Sequence, residues 1–361
     1  MKLKLALGAA AIASMTAGAA LADGHAITVV SWGGAYTKSQ VEAYHKPWIA
    51  KTGNAIVSED YSGGLAEVKA QVESGNVTWD LIDVELSDAV RGCDEGLFET
   101  IDHSKLSAAP DGTPATEDFI PGALTECAVA NIVWSTIFAY DKSVIANGPT
   151  TIQDFFDLEK FPGKRGLRKT PKANLEMALS ADGVAAGDIY EVLSTPEGVD
   201  RAFAKLDTIK DQAVFWEAGA QPPQLLADGE VVMTTAYNGR IFNAVASEGK
   251  EFEVVWDSQV FALDLWAIPK GTKKLDKALD FLNFSTETEQ LGAQASWISY
   301  GPARKSSAPF VKTFHNNPAL EMAPHMPTAP ANFTTAISSD FEFWADNQDE
   351  LNERFAAWLA N

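Results

Sequence analysis

One acid interrupts an apolar run in the last third of the chain, Phe261-Ala262-Leu263-Asp264-Leu265-Trp266-Ala267-Ile268-Pro269. A carboxylate carried into the interior by such a strand is costly to bury unless an opposite charge sits beside it. The partner of Asp264 is therefore either a bound cation, such as an amine, or a protein cation such as Arg240. The residue patterns of other chemistries are missing. There is no G-x-S-x-G elbow, phosphate-binding P-loop, H-E-x-x-H or G-x-G-x-x-G motif. None of the five histidines, His25, His45, His103, His315 and His325, is paired at helical ligand spacing, and no two of the seven tyrosines are adjacent. Carboxylates are plentiful, yet no two are marked as an acid and base set against each other. Nothing in the pattern calls for a metal or a cofactor.

The elements that must position Asp264 read as alternating strands and helices, the pattern of an α/β architecture. Strands are expected at 27–32, 55–61 and 80–84, with helices at about 36–51, 65–74 and 89–96. A longer strand follows at 132–140, a helix at 152–158, and a second α/β set running to about Trp256 with a helix at 198–210 and a strand at 231–236. The strand 261–269, helices at 275–284 and 287–295, and an amphipathic helix at 350–359 complete the chain. There is no internal repeat and no low-complexity linker.

The chain has 361 residues, enough for two domains, with 46% hydrophobic and 21% charged residues. Its 49 acids against 28 bases give a formal net charge of −21, which argues against nucleic acid or anionic lipid as partners. Residues 1–22 read as a signal peptide: Lys2 and Lys4, an apolar run from Leu5 to Ala13, then Ala20-Leu21-Ala22 before Asp23. Export makes a structural disulfide the default reading of the only two cysteines, Cys93 and Cys127.

Segments spread in order along the chain resemble the periplasmic spermidine/putrescine-type solute-binding proteins of ABC importers. They are Val29-Val30-Ser31-Trp32-Gly33-Gly34-Ala35-Tyr36, Trp79-Asp80-Leu81-Ile82-Asp83-Val84-Glu85, Cys93-Asp94-Glu95-Gly96-Leu97, Phe161-Pro162-Gly163-Lys164, Asp228-Gly229-Glu230-Val231, Tyr237-Asn238-Gly239, the strand around Asp264, and Tyr300-Gly301-Pro302. The resemblance implies a type II periplasmic-binding-protein-like fold, two α/β lobes joined by crossover hinge strands, with the ligand between them. The lobes would be residues 23–133 with 263–308, and 134–262 with 309–361. It also implies a periplasmic, monomeric, non-enzymatic subunit that hands its ligand to the transmembrane subunits of an ABC permease. An exported hydrolase with a carboxylate pair between the lobes, or a chemosensory binding protein, is the alternative.

The family binds ammonium groups with carboxylates and aromatic faces, which offset the hydration an ammonium loses on burial. Carried over by position, Asp264 is the pocket aspartate, Trp32, Tyr237 and Tyr300 are aromatic walls, and Asp83 and Glu85 lie where a loop meets ligand. Two departures bear on specificity. The aromatic expected two residues before the aspartate is Ala262. The family's acidic cluster in the second lobe is replaced by Arg168-Lys169-Thr170-Pro171-Lys172-Ala173. A polyamine would meet repulsion there, whereas a zwitterionic ω-amino acid of the γ-aminobutyrate type would offer a carboxylate to Arg168, Lys169 or Arg240, with Arg304 a further cation.

Overall fold

The computed structural model describes residues 26–360, so the expected signal peptide lies outside the described residues. The strands that build the site are β1 (Ala26–Ser31), β2 (Ala55–Asp60), β3 (Leu81–Glu85), β4 (Leu124–Thr125), β5 (Ala128–Asp141), β6 (Arg165–Arg168), β7 (Ala213–Trp216), β8 (Met233–Tyr237) and β9 (Phe252–Ala267). Along the sheet they run β2-β1-β3-β9-β5-β8-β6-β7, with β4 an offshoot of β5. The triplets β2-β1-β3 and β8-β6-β7 are parallel, as expected where helices connect successive strands.

Between the triplets run β5 and β9, antiparallel to each other and long enough to belong to both halves of the molecule. The first part of β5 pairs with the end of β9, which also pairs with β3; the last part of β5 pairs with the start of β9 and with β8. Every residue of β5 but Asp141 is buried, which is why its sequence reads as one nearly continuous apolar run. The register slips between Thr136↔Val260 and Phe138↔Val255, leaving extra residues on β9 where the chain passes from one half to the other. Ser258 in that bulge has φ +56°, and its amide is held by Thr335 Oγ1 at 2.9 Å.

Two cores flank this crossing. One gathers Val29, Trp48, Leu81, Ile82, Trp266 and Phe281; the other gathers Phe138, Phe155, Leu179, Phe203, Trp344 and Phe355. A smaller cluster lies between them, made of Tyr36, Ile132, Trp134, Ile298 and Tyr300, with Trp32, Tyr237 and Ala262 packed against it.

Two elements are longer than the sequence indicates. The strand expected at 261–269 is the end of the sixteen-residue β9, whose first half is masked in the pattern by the exposed Glu253 and the partly exposed Trp256 and Asp257. The helix expected at 350–359 spans Phe341–Ala360, because only Trp344, Leu351 and Phe355 are buried along it and so thin a stripe hides its first turns. Among the described residues no helix is long and apolar enough to cross a membrane.

Cys93, in the helix Leu86–Asp94, is bonded to Cys127, just ahead of β5, with Cα atoms 5.7 Å apart. The bridge ties two elements of the first core across 34 positions of sequence. Replacing both cysteines with serine should lower stability by about 3–4 kcal/mol on the chain-entropy account. A urea titration reads this as a lower midpoint with a steeper slope, because the unbridged unfolded chain exposes more surface.

Candidate functional site

The small central cluster lines a narrow cavity of about 20 Å³, bounded by Trp32, Tyr36, Glu85, Trp134, Tyr237, Arg240, Asp264 and Tyr300. Both parallel triplets aim the carboxyl ends of strands at it, the usual place for a ligand in such sheets. Trp32 follows β1, Glu85 ends β3, and Tyr237 ends β8, with Arg240 in the first turn of the helix Asn238–Glu248. Asp264 projects from β9 directly opposite Glu85. Tyr300 comes from a loop anchored by Asn238, whose amide donates to Ser299 O at 2.6 Å.

Glycines allow the close approaches. Gly33 and Gly34 follow Trp32 with φ of +73° and +58°, and a Cβ on Gly34 would stand 2.7 Å from Arg240 Nη1. Arg240 is 4% exposed and donates to Gly33 O at 2.6 Å and Trp32 O at 3.1 Å, stitching the second triplet to the first. Its Nε is buried without a hydrogen-bond partner among the described residues.

Asp264 is 5% exposed and accepts one hydrogen bond, from Trp134 Nε1 at 2.6 Å, with no protein cation among the described residues in ion-pair contact. Burial, with the nearby Asp83 and Glu85 carboxylates, pushes its carboxyl well above the usual range; the Trp134 hydrogen bond and Arg168 only partly offset this. Asp83 is buried too and pushed up to about 7, although Tyr36, Gln40 and Asn131 all donate to it. The Tyr300 hydroxyl, raised to about 12 mainly by burial, feels both Arg240 and Asp264. Opposite charges thus flank one ring without touching each other.

The aromatic wall missing at Ala262 is supplied from the neighbouring strand. In the β5–β9 register Trp134 is the residue opposite Ala262, and its ring packs edge-on to Tyr237 at 5.0 Å. Tyr36 closes another side, edge-on to Tyr300 at 5.3 Å, its hydroxyl donating to Asp83 at 2.7 Å. Nothing local in the sequence marks either as a site residue, since an aromatic in a buried strand or helix reads as core. Only the cross-strand register reveals that Trp134 stands in for residue 262.

Other expected site residues fall elsewhere. Lys169 is exposed and bonded to Glu217 at 2.9 Å, because side chains alternate past the end of β6 and Arg168 takes the inward position. Asp83 lies one pleat deeper than Glu85, sealed behind Tyr36, and does not line the cavity. Glu85 lines it, but is gripped by Arg168 at 3.3 Å and Lys172 at 2.7 Å. Burial raises its carboxyl, and these two cations more than offset that, holding it at about 2. Glu85 is therefore already neutralised by the protein. Arg304 is buried away from the site against Asp118, Ser107 O and the Phe119 ring. Trp32, Tyr237, Arg240, Asp264 and Tyr300 are brought together. Among the described residues no group of three or more His, Cys, Asp or Glu side chains is placed to hold a metal ion.

The family model of bacterial extracellular solute-binding proteins matches residues 43–328. The chain is 45% identical over 345 residues, covering 95% of itself and 94% of the relative, to the gamma-aminobutyric acid-binding protein of Pseudomonas aeruginosa. Among solved structures, the PBP MotA from A. tumefaciens B6 in complex with glucopine superposes with a TM-score of 0.83 at 32% identity, over 92% of this chain and 99% of that one. The Atu4243-GABA receptor does so with a TM-score of 0.78 at 31% identity, over 93% and 98%. With its two-lobed sheet and its cavity between the triplets, the chain belongs to the family of bacterial extracellular solute-binding proteins and is the substrate-binding component of an ABC importer.

Proposed function

We propose that the chain is the periplasmic, monomeric and non-catalytic receptor for a short zwitterionic ω-amino acid of the γ-aminobutyrate type. Its ligand's ammonium is held by Asp264 inside the aromatic box, and its carboxylate by Arg240. The observation that carries this reading is a buried acid with a single indole donor and no paired cation among the described residues, in the same cavity as a guanidinium with a free N–H. An ammonium gives Asp264 the partner that burial demands, and ring faces add cation–π attraction. The separation of the two charges by Tyr300 suits a ligand whose own charges are separated by a methylene chain. The names of the Pseudomonas relative and of the Atu4243 receptor point to the same ligand.

A polyamine is disfavoured by the same cavity. Its second ammonium would approach Arg240, or Arg168 and Lys172, while the acid that would welcome it, Glu85, is already paired. A hydrolase would need two free carboxylates facing a common water, and Glu85 and Asp83 are both engaged.

Calorimetric titration with γ-aminobutyrate and with putrescine tests the assignment. The wild-type chain should bind γ-aminobutyrate more tightly. Arg240→Ala should weaken γ-aminobutyrate by about 100-fold, the cost of leaving a buried carboxylate unpaired, and should not weaken putrescine, whose second ammonium it relieves of a like charge. Equal losses for both ligands, or a wild-type preference for putrescine, would reject it.

A further inference from the structure

We propose that the Glu85–Arg168–Lys172 ion triad is a partition that limits ligand length, an inference that rests on the ω-amino-acid reading above. Beyond the aromatic box lies a second, polar cavity of about 210 Å³, whose lining includes Ser62, Asp88, Thr170, Gln348 and Asn352. Trp32 and Glu85 line both cavities, so they form the wall between them. Arg168 and Lys172 line the polar cavity and grip Glu85 from across the cleft, and Lys172 also donates to Ser87 Oγ at 2.7 Å.

The triad does two things to a ligand seated at Asp264. It blocks the path from box to polar cavity with three side chains fixed by ion pairs. It also pins Arg168 and Lys172 to Glu85, so that the triad keeps a single net positive charge and neither cation is free to turn toward a longer ligand's carboxylate. A short zwitterion ends inside the box at Arg240; a longer one must send its carboxylate through the wall. Removing the charge of Glu85 therefore releases the ion pairs that hold the partition shut and frees two cations beyond it.

The test is a length series, β-alanine, γ-aminobutyrate, 5-aminovalerate and 6-aminohexanoate, titrated calorimetrically into the wild type, Glu85→Gln and Lys172→Met. Lys169→Met, at an exposed residue outside the site, is the control. In the wild type, affinity should fall by more than tenfold between γ-aminobutyrate and 6-aminohexanoate. Glu85→Gln should narrow that ratio at least tenfold, the scale of one additional charge-assisted hydrogen bond to the longer ligand. Lys172→Met, which widens the wall and leaves Arg168 on Glu85, should narrow it less, and decides the matter if Glu85→Gln does not fold. An unchanged length profile in these variants, with γ-aminobutyrate still bound by the wild type, overturns the partition alone. Failure of the wild type to bind any of the four overturns the ω-amino-acid reading and the partition with it.

Discussion

Asp264→Asn should lower affinity for the amine-bearing ligand by about two to three orders of magnitude and leave the empty protein at least as stable as the wild type. The first effect is the loss of a buried charge pair, about 2–5 kcal/mol when one partner is removed and the other stays desolvated. The second follows from linkage. Burial and the neighbouring acids raise the folded-state pKa of Asp264 above its unfolded value. Its contribution to stability is therefore present in full below the unfolded pKa, and is lost as pH rises through the folded pKa. Asparagine does not titrate, so the variant escapes that loss and its melting temperature should exceed the wild type's most clearly at alkaline pH. A thermal scan with and without γ-aminobutyrate separates the two effects, since ligand raises the melting temperature only where it binds. A variant that keeps its ligand-induced shift would remove Asp264 from the site.

The same shift fixes the pH dependence of binding. Ligand-free Asp264 holds its proton to higher pH than an ordinary carboxyl, and must release it to pair with an ammonium. Affinity in the wild type should fall about tenfold per unit as pH drops below that free-state pKa, with a proton released on binding. Calorimetry in two buffers of different ionisation enthalpy counts the proton. In Asp264→Asn this component of the pH dependence should vanish.

What the sequence made legible follows from how local each signal is. Asp264 stands out because an acid among Phe261, Leu263, Leu265 and Trp266 violates the strand's own pattern. The alternation of strands and helices is local too, and most element positions agree within a few residues. What escaped was set by contacts between distant residues. Glu85 reads as a ligand acid until Arg168 and Lys172, 83 and 87 positions later, are folded against it. Choosing Arg168 over Lys169 as the inward cation requires knowing where the four-residue β6 ends, since one step reverses the face. The bulge at Ser258, which lets β9 serve both halves, leaves no mark in composition.

Trp134 carries the other large expected effect, because it serves the site twice. Its ring fills the wall opposite Ala262, and among the described residues its indole N–H is the sole hydrogen-bond donor to Asp264. Trp134→Phe keeps most of the wall and removes the donor. A hydrogen bond to a charged group is worth about 1.5–3 kcal/mol, so affinity should fall by about ten- to a hundredfold. Without that donor the Asp264 carboxyl rises further, so the pH below which binding weakens should move up as well. Trp134→Ala removes both and should approach the loss seen for Asp264→Asn. It should also lower stability by about 3–5 kcal/mol, because Trp134 is 7% exposed and leaves a cavity against Tyr237. Directly opposed residues on antiparallel strands occupy neighbouring space on one face. Adding Ala262→Phe to Trp134→Ala should therefore return an aromatic to the same wall from the other strand and recover part of the affinity and most of the stability. Ligand titrations and urea midpoints on the three variants distinguish wall from donor. Recovered stability with no recovered affinity would assign the binding contribution of Trp134 to its N–H, and recovery of both would assign it to the ring.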